Sequence, residues 1–209
     1  IAKLIKRGNK VYNNTIEGLS RQDLSLLDKN NKQIDKLSQE VDNLKDKLFY
    51  FIRNLDESSL GASNFYINLL GYLQDITQSL KYISKTSHKH INNNHSKLRL
   101  SQIRDLIEID KIMNDLFEEI KISFEKRSFH KMEVILKNKK ILFSLVDEKI
   151  EAQISRTRTS EEGSPKNTTL YFSLLKETKD LLKAIMSLIE EYYLSHDDSI
   201  KPAKANKNI

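Results

Sequence analysis

The chain has 209 residues, 38% hydrophobic and 31% charged, with 35 Lys and Arg against 29 Asp and Glu for a net charge of +6. That is enough apolar material for a core in one or two compact units and too much charge for a membrane span; the longest unbroken apolar run, residues 48–52, is far short of the roughly 20 residues a spanning helix needs. The absence of cysteine excludes disulfides, thiolate zinc sites and cysteine nucleophiles, and two prolines and five glycines leave most of the chain free to be helical.

In chain order, the first 13 residues predict a short helix within a basic segment, "KLIKRGNK", that suits the inner side of a membrane, where Lys and Arg accumulate. The start at Ile1, with no signal-peptide pattern, reads as a piece of a larger protein. A helix follows over 20–56, with Ser20 as N-cap, Asp23 in the first turn and an apolar stripe of Ile34, Leu37, Val41, Leu44, Leu48, Phe51 and Leu55. "DESSLGAS" breaks it. The next helix, 62–87, buries Leu69, Leu73, Ile76, Leu80 and Ile83; another runs from Ser101 to about residue 126 on Leu106, Ile109, Met113, Leu116 and Ile120. "EKRSFH" is a turn with Ser128 as the following cap. A helix over 129–157 has a weaker stripe of Ile135, Leu142, Val146, Ile150 and Ile154. "RTSEEGSPKN" is a loop, a helix over 168–194 carries Tyr171, Leu174, Leu181, Ile185 and Leu188, and 197–209 is a flexible tail. Nothing alternates with period two for long enough to be a strand. The expectation is an all-α, up-down bundle at 20–196, preceded by a partial first helix or juxtamembrane segment at 1–19.

Two helices resemble each other. "YINLLGYLQDITQSL" from Tyr66 and "YFSLLKETKDLLKAI" from Tyr171 share Tyr, paired Leu, Asp and the later apolar steps, always 105 residues apart. Tyr66 answers to Tyr171, Leu70 to Leu175, Asp75 to Asp180 and Leu80 to Ile185. Such self-similarity predicts two three-helix halves, about 1–95 and 96–196, with the first helix of the first half only partly present.

No phosphate-binding glycine loop, nucleophile elbow or zinc-protease pattern occurs, so no catalysis is expected. Acidic and basic residues are interleaved along each helix, which argues against a nucleic-acid partner. Glu177 and Asp180, three apart, share a helix face. Together with Asp75 they could hold a hard cation in a bundle seam, or pair with Lys or Arg of a neighbouring helix. "TSHKHINNNHSKL", from Thr86, places His88, His90, Asn93 and His95 in ten residues. The set lacks a carboxylate to complete a zinc site. Histidine in a last turn and asparagine in the left-handed conformation suit a helix terminus, with an anion or partner contact through the exposed side chains as the functional alternative.

"YLQDITQSLKYI…SHKHINNNHSKL", beginning at Tyr72, and "NTTLYFSLLKETKDLL", beginning at Asn167, resemble the C-terminal extension of bacterial inorganic phosphate transporters, a helical domain similar to the PhoU phosphate-signalling regulators. The resemblance covers about 66–98 and 167–194. It implies a PhoU-like bundle of two tandem three-helix repeats. It further implies a regulatory or accessory domain on the cytoplasmic face of the bacterial inner membrane. That domain would partner the permease of its own chain and could pair with a second copy. A free-standing regulator, or the equivalent domain of a sodium-coupled phosphate cotransporter, is the alternative. In some members acids on the last helix of each repeat bind metal. Asp75 and Asp180 match the family's Asp, whereas the acid four residues earlier is replaced by Gly71 and Lys176, with Glu177 the nearest substitute. No cofactor is therefore expected, a divalent ion at Asp75, Glu177 and Asp180 being the alternative.

Overall fold

Gln22 adopts the left-handed conformation, φ 55°, and the Asp23 N–H closes on the Gly18 carbonyl at 2.9 Å. This pairing satisfies the carbonyls that a helix end leaves open. It ends α1 (Ala2–Arg21), and the Asp23 carboxylate then accepts the Leu26 N–H to start α2 (Leu24–Arg53). The computed structural model describes residues 1–128, 131–159 and 164–195, and all of its regular structure there is helical. A 3-10 turn, Glu57–Ala62, leads to α3 (Ser63–Asn92); α4 (Leu100–Glu125), a short α5 (Met132–Lys137), α6 (Lys139–Arg158) and α7 (Pro165–Ser195) follow. Among the described residues no helix is long and apolar enough to cross a membrane.

Several expectations change. Ser20, expected to cap the second helix, lies inside α1, and Asp23 caps α2. The opening segment is a full helix in the core, not a short peripheral one: Ile5, Val11, Tyr12, Ile16 and Leu19 are all at most 2% exposed. Its inward face also carries Gly8, Asn9, Thr15 and Gly18, all buried, which hides the apolar period. The helix expected over 129–157 divides at Asn138 into α5 and α6. Lys131, not Ser128, is the N-cap of α5. Ser128 instead closes α4, its N–H reaching the Ser123 carbonyl at 2.9 Å beside Arg127 at φ 51°. The expected tail lies outside the described residues.

α1 packs on α2, α3 and α4; α2 lies beside α3, α3 beside α7, and α7 against α5 and α6. Asn9 Nδ2 donates to Asn114 Oδ1 at 2.9 Å and Asn13 Nδ2 to Asp110 Oδ2 at 2.8 Å. The partner number falls by four as the donor's rises by four, so α1 and α4 run antiparallel. α3 and α7 are antiparallel too: Phe65 and Asn68, near the start of α3, meet Tyr192 and Glu191 near the end of α7. The shared core centres on Tyr12, Ile34, Ile76, Leu80, Phe117 and Ile185, each at most 1% exposed. Burial of such side chains, about 1.5–3 kcal/mol each, is the main force holding the helices together.

Candidate functional site

α3 and α7 approach through small buried residues, Ser79 and Ala184, each 5% exposed. With Ser187, these short side chains line a groove of about 350 Å³ along the seam. Tyr72, Asp75 and Gln78 of α3 face Glu177, Asp180 and Lys183 of α7 across it. The groove thus brings all three acids expected from the sequence to one place. Their stripes of Leu73, Ile76 and Leu80 and of Leu181, Ile185 and Leu188 are buried, which fixes the outward direction of the carboxylates.

Among the described residues no three His, Asp or Glu side chains lie close enough to hold one metal ion. Nor do Asp75, Glu177 and Asp180 make any ion pair or side-chain hydrogen bond among those residues. Three carboxylates against one ammonium, Lys183, give the groove a negative potential open to solvent.

The histidine-rich stretch ends α3. Asn94 takes the left-handed conformation, φ 54°, and the His95 N–H bonds to the His90 carbonyl at 3.2 Å. This helix-ending arrangement usually brings the side chains at its two bonded positions into contact. Here that contact is His90 against His95, ring centroids 5.1 Å apart. His90 is 6% exposed and its Nε2 meets the Ser96 carbonyl at 3.0 Å. Desolvation, Lys166 and His90 together hold the His95 pKa below its ordinary value. His88, on another face, pairs with Asp28 at 2.6 Å, and Asn93 is the exposed C-cap. α3 ends at Asn92, before His95, so the stretch is a helix terminus, as its asparagines and histidines suggest.

Two polar clusters had no signal in the sequence. Asp105 of α4 accepts from the Tyr171 hydroxyl at 2.7 Å and from Arg156 at 3.1 Å, with the Lys149 ammonium at 3.4 Å, joining α4 to α6 and α7. Burial and the Asp105 charge raise the Tyr171 pKa well above the phenol range. On the α1–α4 seam, burial raises the Asp110 pKa; the Asn13 hydrogen bond opposes this and Glu17 reinforces it. Residues of this kind are scattered through the sequence, and only the packing collects them.

Compared with family models, curated proteins and solved structures, the chain finds no match in any of the three.

Proposed function

We propose that the chain is a PhoU-like regulatory module of an inorganic phosphate permease, acting at the cytoplasmic face of a bacterial inner membrane. The resemblance over 66–98 and 167–194 supplies the permease. Support for two three-helix halves comes from the packing. α1 sits against α4 and α3 against α7, each beside the helix 105 positions on. α2 ends at Arg53 and α6 at Arg158, and the left-handed residues that close α1 and α4 are Gln22 and Arg127, again 105 apart. Asn9 bonds to Asn114, its own counterpart at that offset, as a residue on a twofold axis does.

The observation that carries the reading is the groove. Asp75 and Asp180, counterparts in the two halves, both line it and have no ion-pair partner among the described residues. A free carboxylate at an exposed seam contributes little to folding, yet it offers a docking partner charge. A regulator can shift a permease between states only by binding one of them more tightly than the other. The acids supply that difference if the permease presents basic residues in one state.

The test is phosphate uptake in cells stripped of their own phosphate transporters and given the permease with this module attached. Asp75→Ala with Asp180→Ala changes the uptake rate about five-fold or more, the range of ordinary coupling energies. The melting temperature of the isolated module stays within about 2 °C, as for exposed substitutions. Unchanged uptake after removal of the whole module refutes regulation, and a large melting loss reassigns the two acids to the fold.

A further inference from the structure

On α2 the spacing that buries Ile34, Leu37 and Val41 continues through Leu44, Leu48 and Phe51, but the burial does not: Leu44 is 42% exposed. With Tyr66, Leu69 and Leu73 of α3 these side chains wall an open, almost wholly apolar groove of about 240 Å³. Phe49, Tyr50 and Ile67, on the same turns of α2 and α3, are also largely exposed. Among the described residues nothing covers this wall, although its periodicity is that of a buried face.

The corresponding wall of the other half is covered. The residues 105 positions on are Lys149 for Leu44, Gln153 for Leu48, Arg156 for Phe51 and Tyr171 for Tyr66. The first two turns of α4 lie on them. Gln102 Nε2 donates to Gln153 Oε1 at 3.3 Å, and Asp105 takes Arg156, Tyr171 and Lys149 as described. By the same offset, the places of Asp105 and Gln102 in the first half fall immediately before Ile1 and one turn earlier, along the axis of α1.

We propose that this groove is a docking slot for an apolar helical turn that continues the axis of α1, seated on α2 and α3 as the start of α4 is seated on α6 and α7. The inference rests on the two-half reading and is independent of phosphate. The walls dictate the chemistry of the occupant. The covered half offers ammonium, amide, guanidinium and phenol groups to an amide and a carboxylate. The open half offers two leucines and two aromatic rings, so the inward residues of its occupant are aliphatic.

Three versions of the whole chain test this, each with a helical extension of about six residues joined to Ile1. One carries leucine at the two inward positions of the counterpart register, one carries the same leucines on the outward face, and one carries glutamate at the inward positions. The first raises the melting temperature by about 4–8 °C and suppresses the fluorescence of a hydrophobic dye bound to the unextended chain; the other two do neither. No rise with either leucine version overturns the slot. An equal rise with glutamate shows simple helix lengthening and overturns apolar docking. Equal effects from inward and outward leucines overturn the register and, with it, the two-half reading, even if regulation of uptake survives its own test.

Discussion

Replacing Asn30 with alanine tests whether a buried polar hub holds the first three helices together. Asn30 is fully buried on α2. Its Nδ2 reaches the Val11 carbonyl at 3.0 Å and Thr15 Oγ1 at 2.8 Å on α1, and Ser84 Oγ at 3.1 Å on α3. An amide nitrogen has two hydrogens for these three acceptors, so two bonds are made at a time. Each contributes about 1 kcal/mol net, and truncation leaves a small polar void on top of that. The sum is a loss of about 3 kcal/mol, or roughly 6–12 °C in a chain of this size. Thr15 and Ser84 keep their own donations, to the Val11 carbonyl and to Asn31 Oδ1, so the loss is not larger. Asn30→Asp preserves shape but points carboxylate oxygens at those acceptors and buries a charge, so it destabilises more than alanine. Thermal and urea melts followed by far-ultraviolet circular dichroism measure both variants. A cost below about 1 kcal/mol for alanine, or a smaller cost for aspartate than for alanine, refutes the hub.

Two further outcomes follow from glycines and from a buried acid. A Cβ at Gly71 meets nothing within 4 Å. Gly71→Ala therefore stabilises α3 by about 1 kcal/mol and raises the melting temperature by about 2–4 °C. A Cβ at Gly18 would stand 2.7 Å from Leu27 Cγ and Cδ2, and Leu27 is fully buried. The overpacking cost of about 1–3 kcal/mol outweighs the same helix gain, so Gly18→Ala lowers the melting temperature; a rise at Gly18 or a fall at Gly71 contradicts the packing. Asp110 faces Asn13, Glu17 and Tyr12 of α1, and burial raises its pKa. The folded state therefore keeps that proton to higher pH than the unfolded chain does. Stability is lost as pH rises above the ordinary carboxylate value of about 4 and through the raised pKa. Asp110→Asn removes this loss, so its stability advantage over the natural chain grows across that window; a flat or shrinking difference between melts at acidic and neutral pH refutes the assignment.

Helices were legible wherever an aliphatic residue recurs at every turn of the inward face, even with polar residues buried beside it. The expectation at 62–87 matches α3 to within one residue at its start and stops short of its end at Asn92, and the one at 168–194 falls within α7. α1 was underestimated because Gly8, Asn9, Thr15 and Gly18 share its buried face with the aliphatics. The break at Asn138 passed unnoticed because asparagine is only a mild helix breaker. The site was half legible: the Tyr and Asp repeat pointed to Asp75 and Asp180, and the packing then put both on one groove.

Period and composition, acting through local backbone geometry, were sufficient to determine that the regular structure of the described residues is helical and which face of most helices is apolar. They could not determine which neighbour covers a face, because that depends on contacts between residues far apart in sequence. Tertiary structure alone decided that Asp105 gathers Arg156 and Tyr171, that His95 folds back on His90, and that Leu44, Leu48 and Phe51 wall an open groove despite a buried residue's spacing. An apolar stripe states a demand for burial; the packing of the other helices determines whether it is met.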